Sequence, residues 1–141
     1  FGMGIERLLL VMEKQGCDYL PPKKCDIYFA TMGEAALEKA MELVKGLREF
    51  GYCAEYDLVG RGIKAQMKYA NKIGAAYTVV LGDNELAEGK ARLKEMESGN
   101  ETEILLNDKF TTNFENEYFN KVLDGIDDEN GSMFALQGED K

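Results

Sequence analysis

Arg61, Lys64, Lys68 and Lys72 punctuate the stretch RGIKAQMKYANK without one acid among them. Clustered cations of this kind displace condensed counterions from a nucleic-acid backbone, so the chemistry they suggest is phosphate contact. On a helical wheel they occupy an arc about 80° wide beside the apolar Ile63, Met67 and Ala70. One face would pack and the next would be positive. Any solvated helix face shares that pattern, and the stretch by itself supports both readings. Tyr69 has the planar ring on which an unpaired RNA base stacks, or it packs half-buried at helical spacing. Tyr56, at the end of the preceding apolar run, has the same two readings.

A second group stands at the opening, FGMGIERLLLVMEKQG. Gly2 and Gly4 permit close backbone approach and precede a helix whose N-terminus attracts anions, the chemistry of a phosphate-cradling turn. The third glycine of a dinucleotide fingerprint is missing, and a buried strand explains the same residues. Glu6 and Arg7 are opposite charges among apolar residues, where such a pair is held by a partner or a ligand. With neither an initiator Met nor a polar lead-in, residue 1 reads as a cut into a longer chain.

Composition narrows the chemistry. The 141 residues, 45% hydrophobic and 30% charged, suffice for one ordinary core. There is no His, so a triad built on a histidine base is excluded for this chain acting alone. Cys17, Cys25 and Cys53 form no CxxC pair, which predicts reduced thiols, a cytoplasmic setting and no metal site. The longest apolar run, 5–12, is broken by Glu6 and Arg7 and falls short of the roughly 20 residues of a membrane span, so no membrane partner is expected. A net charge of −9 speaks on average against nucleic acid, DNA included. Acids concentrate in 124–141, however, and cations in 61–72, so local sign counts for more than the total.

These groups need elements to position them. A strand is predicted over 2–5 and a helix over 6–14 whose apolar residues nearly encircle it. Such a helix needs burial, yet nothing else in the sequence reads as its partner, so the pair is expected to be an orphaned remnant with Leu8–Met12 exposed. The paired prolines of QGCDYLPPKKC mark a linker over 17–24. CDIYFATMG predicts a buried strand ending at Gly33. The helix after it carries Leu37, Met41, Val44 and Leu47 on its apolar stripe and ends at Gly51. YCAEYDLVG predicts a strand, RGIKAQMKYANKIGA a helix and AYTVVLG a strand, an alternation that signals an α/β fold with a largely parallel sheet. DNELAEG predicts a turn, and KARLKEM with TEILLN a hairpin around Gly99. A last helix is predicted over 108–123, with Phe110, Phe114, Tyr118 and Val122 four apart. The acidic, Gly-containing tail over 125–141 has the composition of disorder. The expected core is a five-stranded mixed sheet with three helices.

FGMGIERLLL resembles motif 3 of the class II aminoacyl-tRNA synthetases in their histidine-specific form: an aromatic-Gly-x-Gly strand, then Glu-Arg and a leucine run. CDIYFAT, GRGIKAQMKYANKIGA, AYTVVLGDNELAEGK and ARLKEM resemble, in order and spacing, the family's C-terminal anticodon-binding domain. The resemblance implies that 1–16 is the end of a catalytic domain, 17–24 a linker and 25–124 an anticodon-binding domain of three-layer α/β fold; the tail 125–141 matches nothing in the family.

By the same resemblance Arg7 would contact the phosphates of ATP, with Gly2 and Gly4 flanking the nucleotide, because an arginine stabilises developing phosphate charge. Motifs 1 and 2 are absent, so this chain alone is expected to hold neither ATP nor Mg2+ and to catalyse no ligation. The whole enzyme, a cytoplasmic homodimer using ATP and Mg2+, would join histidine to its tRNA through a histidyl-adenylate. The partner implied for this chain is the tRNA anticodon stem-loop. Glu85 and Lys94 match the family's base-contacting carboxylate and basic strand residue, with Arg61, Lys64, Lys68 and Tyr69 beside them. A carboxylate accepts from a base amino group, and an ammonium donates to a base carbonyl or a phosphate. Apart from the resemblance, Glu85 reads as a cap and Lys94 as a solvent-facing strand residue. A regulatory protein sensing uncharged tRNA and a protein-interaction module stay open as alternatives.

Overall fold

The computed structural model describes residues 2–17, 24–120 and 123. Its elements in chain order are α1 Ile5–Lys14, β1 Ile27–Thr31, α2 Glu34–Glu49, β2 Ala54–Tyr56, α3 Ile63–Lys72, β3 Tyr77–Leu81, α4 Asp83–Glu88, β4 Lys90–Glu95 and β5 Glu101–Leu105. A further helix, α5, runs over 110–120. The strands form one mixed sheet in the order β2-β1-β3-β4-β5. β1 is parallel to β2 and β3 because α2 and α3 carry the chain back between them, and β4 and β5 are antiparallel to their neighbours.

Strand alternation divides the core in two. Ile27 and Phe29 of β1, Tyr77, Val79 and Leu81 of β3, Leu93 of β4 and Ile104 of β5 meet α2 and α5. Tyr28 and Ala30, pointing the other way, meet Ala70 and the flank of α3. The result is the expected three-layer α/β arrangement with a five-stranded mixed sheet. Phe110 and Phe114 are buried as their spacing predicts, and Phe114 stands edge-on to Tyr52 and Tyr77 with ring centroids 5.2 and 5.5 Å away. Gly51, at φ +89°, ends α2. Its N–H donates to the Arg48 carbonyl and that of Tyr52 to Leu47, a closure that needs a left-handed residue.

Several expectations need correction. The buried stripe of α2 is Ala36, Ala40, Leu43, Val44 and Leu47; Met41 is exposed, since it lies more than about 100° round the helix from the centre of that stripe. DNELAEG is a short helix, α4, and adds to the three helices expected of the domain. Two acids in its first turn and a left-handed Gly89 favour it over a turn. Residues 2–4 form no strand and the helix starts at Ile5, because an extended segment without a neighbouring strand has no ladder to join. No residue of α1 is buried, and no other described element packs on it. Val122, most of the 17–24 linker and the 125–141 tail lie outside the described residues.

Candidate nucleic-acid interface

α3 covers one face of the sheet over β1 and β3 and stops there. On the same face β4 presents Lys90, Arg92 and Lys94 at every second residue, while Ala91 and Leu93 point into the opposite core. Between Met67 of α3, α4 and this row of cations lies an open groove of about 460 Å³, lined by both Glu85 and Lys94.

Glu85 has two jobs in this geometry. Its Oε2 accepts from the Gly82 N–H at 2.9 Å, reaching back to close the first turn of α4. A carboxylate has about four lone-pair positions, so this cap leaves acceptor capacity on a side chain that lines the groove. Lys94 is 43% exposed, and its Nζ stands 4.0 Å from Oε1 of Glu101. Arg92 shares Glu101 at 3.3 Å, and Lys90 pairs with Glu103 at 2.9 Å. The hydrogen bond from Lys90 to Glu103, then the charge of Glu103, push the Lys90 ammonium pKa up. Exposed pairs of this kind contribute little to stability, so a base edge or phosphate can displace them. Lys94, the most loosely paired of the three, is the readiest to exchange.

The outer face of α3 forms a second patch. Lys64, Lys68 and Lys72 are exposed one turn apart. Arg61 is not on that helical stripe: the helix begins at Ile63, and Arg61 sits in the loop before it, held by Asp57. Its Nε and Nη2 each reach Asp57 Oδ1 at 2.6 Å, and its backbone N–H donates to Oδ2 at 2.7 Å. Asp57 is only 1% exposed. Burial alone would push its carboxyl up; hydrogen bonds from the Arg61 backbone and side chain, the guanidinium charge and the Gly60 N–H outweigh it and hold the group below the usual carboxylate range. Tyr69, 38% exposed, lies under the Arg61 guanidinium at 4.5 Å. Glu85 and Lys94 thus share one groove, and Arg61, Lys68 and Tyr69 share the neighbouring patch, with Lys64 on the same helix.

Tyr56 lies on the far face, against α2 beside Met41 and Arg48, away from both. Arg7, Gly2 and Gly4 belong to the exposed opening, and no described element encloses a nucleotide around them. Cys25 is buried, and burial first, then the nearby Cys53, Glu55 and Asp26, push its thiol up to about 12.

Residues 26–113 match the family described as "Anticodon binding domain". The chain belongs to that family. Among similar proteins, the histidine–tRNA ligase of Clostridium perfringens (strain SM101) is 47% identical over 106 residues, 75% of this chain and 26% of that protein. The histidine–tRNA ligase of Acetivibrio thermocellus is 52% identical over 106 residues, 75% of this chain and 25% of that protein. The solved structure of apo histidyl-tRNA synthetase from S. aureus superimposes with a TM-score of 0.63 at 39% identity, covering 78% of this chain and 28% of that one. The chain spans about a quarter of the length of the curated relatives it matches.

In this anticodon-binding domain the sequence reading overlooks three groups. The K-x-R-x-K alternation at 90–94 was there to be read as one charged sheet face. Asp57 is indistinguishable by type from a loop acid. Gln66, 1% exposed, is the uncharged polar residue on the apolar side of α3. Its amide donates to the Thr31 and Arg61 carbonyls, and its Oε1 accepts from the Thr31 N–H. β2 pairs with β1 only as far as Phe29, so Gln66 takes the ladder position that β2 vacates.

Proposed function

We propose that this chain is the anticodon-recognition part of a histidine–tRNA ligase, the enzyme that attaches histidine to its tRNA with ATP through a histidyl-adenylate. The observation that carries the reading is the groove that holds Glu85 and Lys94 together beside the α3 cations, in a chain of the anticodon-binding family. Glu85 accepts from a base amino group, and Lys94 donates to a base carbonyl or phosphate once it leaves Glu101. Lys64 and Lys68 contact the loop phosphates, and Arg61 and Tyr69 meet an unpaired base at the patch they share. Residues 25–124 form the recognition unit, 17–24 the linker, and 1–16 belong to the catalytic domain, where Arg7, Gly2 and Gly4 would meet ATP and Mg2+ only with the rest of that domain around them. The chain alone binds RNA and ligates nothing; it contributes by placing the acceptor end in a distant site. The whole enzyme is a cytoplasmic homodimer, with neither DNA nor a membrane as partner. The ligase names of the relatives support an enzyme over a regulatory sensor.

The test is a titration of the chain with a histidine-tRNA anticodon stem-loop and an anticodon-scrambled control at two salt concentrations. The reading expects a preference for the cognate loop of more than about 1 kcal/mol, the scale of one lost base contact. Equal affinity for both loops, falling equally with salt, would reduce the domain to a phosphate-contacting surface.

A further inference from the structure

Arg61, in the loop before α3, differs from the lysines of that helix in how it is held. Its charge is met by a fully buried carboxylate through two side-chain contacts at 2.6 Å, and a third bond from its own backbone N–H anchors the same residue at 2.7 Å. These contacts hold the guanidinium in one orientation. The held plane lies 4.5 Å over the ring of Tyr69. Tyr69 in turn rests on Tyr28, whose side chain is fully buried in the sheet, with ring centroids 5.9 Å apart. The stack is therefore supported from the core outward, while Arg61 keeps 34% of its side chain exposed and Tyr69 is 38% exposed. A shallow pocket of about 380 Å³ opens beside the two, edged by Lys68 and Lys72.

We infer that Arg61 and Tyr69 form a pre-set stacking platform for one unpaired base, and that Asp57 is the positioning residue that sets it. The inference rests on the anticodon reading above and adds a division of labour to it. The groove of Glu85 and Lys94 reads base edges, the platform takes one base by its face, and Lys68 and Lys72 meet the phosphates that flank that base. Guanidinium planes and tyrosine rings both stack on bases. A platform already fixed by Asp57 loses little freedom when the base arrives.

The experiment uses the whole chain and anticodon stem-loops carrying 2-aminopurine at each loop position in turn. One position should be quenched on binding through the platform. Arg61→Lys, which keeps the charge and loses the plane, and Tyr69→Ala should each weaken binding by about tenfold and remove the quench at that position alone, with Tyr69→Phe behaving as the parent. Asp57→Asn should remove the same quench together with the distinct Arg61 Nε–H resonance, and adding Arg61→Lys to it should cost nothing further. Where Asp57→Asn does not fold, the Arg61 and Tyr69 variants decide. Unchanged affinity and quenching in those two variants would overturn the platform and leave the anticodon reading standing. Failure of the unmodified chain to bind any loop would overturn both.

Discussion

Replacing Gln66 by Met keeps the length and approximate volume of the side chain and deletes its donors and its carbonyl. Three backbone groups then lose their partner: the Thr31 N–H, the Thr31 carbonyl and the Arg61 carbonyl. A fully buried orphan costs about 1–3 kcal/mol. Thr31 and Arg61 are half-buried, so water recovers part of this, and Met gains a little from apolar burial. A net loss of about 2–4 kcal/mol follows, a large share of the roughly 5–15 kcal/mol that a domain has. For a domain of this size that lowers Tm by roughly 10 °C or more. Urea and thermal unfolding followed by circular dichroism measure it, with an unchanged urea slope confirming that the same surface unfolds. A variant within about 0.5 kcal/mol of the parent would refute the claim that the amide replaces the missing strand partner.

Four further outcomes follow from the same geometry. Asp57 has its pKa lowered in the folded chain, so its stabilising contribution is present above the unfolded value of about 3.9 and lost as pH falls through the folded one; the stability gap between parent and Asp57→Asn should narrow below about pH 4 in urea melts. Glu85→Gln can still accept from the Gly82 N–H and should unfold as the parent does while changing loop affinity, whereas Glu85→Ala should also cost about 1 kcal/mol of stability. Phe114→Ala, emptying a site at the meeting of Tyr52, Tyr77 and the sheet, should cost about 3–5 kcal/mol by urea melt. Amides of 5–14 should exchange far faster than those of β1 and β3, since α1 has no buried residue; slow exchange there in a monomeric chain would contradict it.

The sheet was legible because its strands are short apolar runs between turns, and their order alternates with helices until the last two. β4 and β5 were legible as a hairpin because Gly99, at φ +77°, sits in the tight loop between alternating runs. The buried stripe of α2 was harder: Leu37, Met41, Val44 and Leu47 fit a helical spacing, but Ala36, Ala40 and Leu43 turn the buried face away from Met41. α1 is a different case. Its leucine run predicts burial, which depends on a partner surface that its own sequence does not specify. At the site, Glu85 and Lys94 were singled out only through resemblance, since their residue types alone read as a cap and a solvent-facing strand residue. Their convergence depends on the β3–β4 register, which pairs Thr78 with Lys94, and on α4 forming where a turn was expected. Asp57 and Gln66 were invisible because each acts on backbone groups far from it in the chain or in a loop, which periodicity does not reveal.

The most direct measurement is a chemical-shift map of the isotopically labelled chain as the cognate anticodon stem-loop is added. The account predicts that the largest changes fall on 84–94 and on the α3 face at 64–72, with the α2 face and Tyr56 unmoved. Changes concentrated on α2 and β2, with the groove silent, would contradict it.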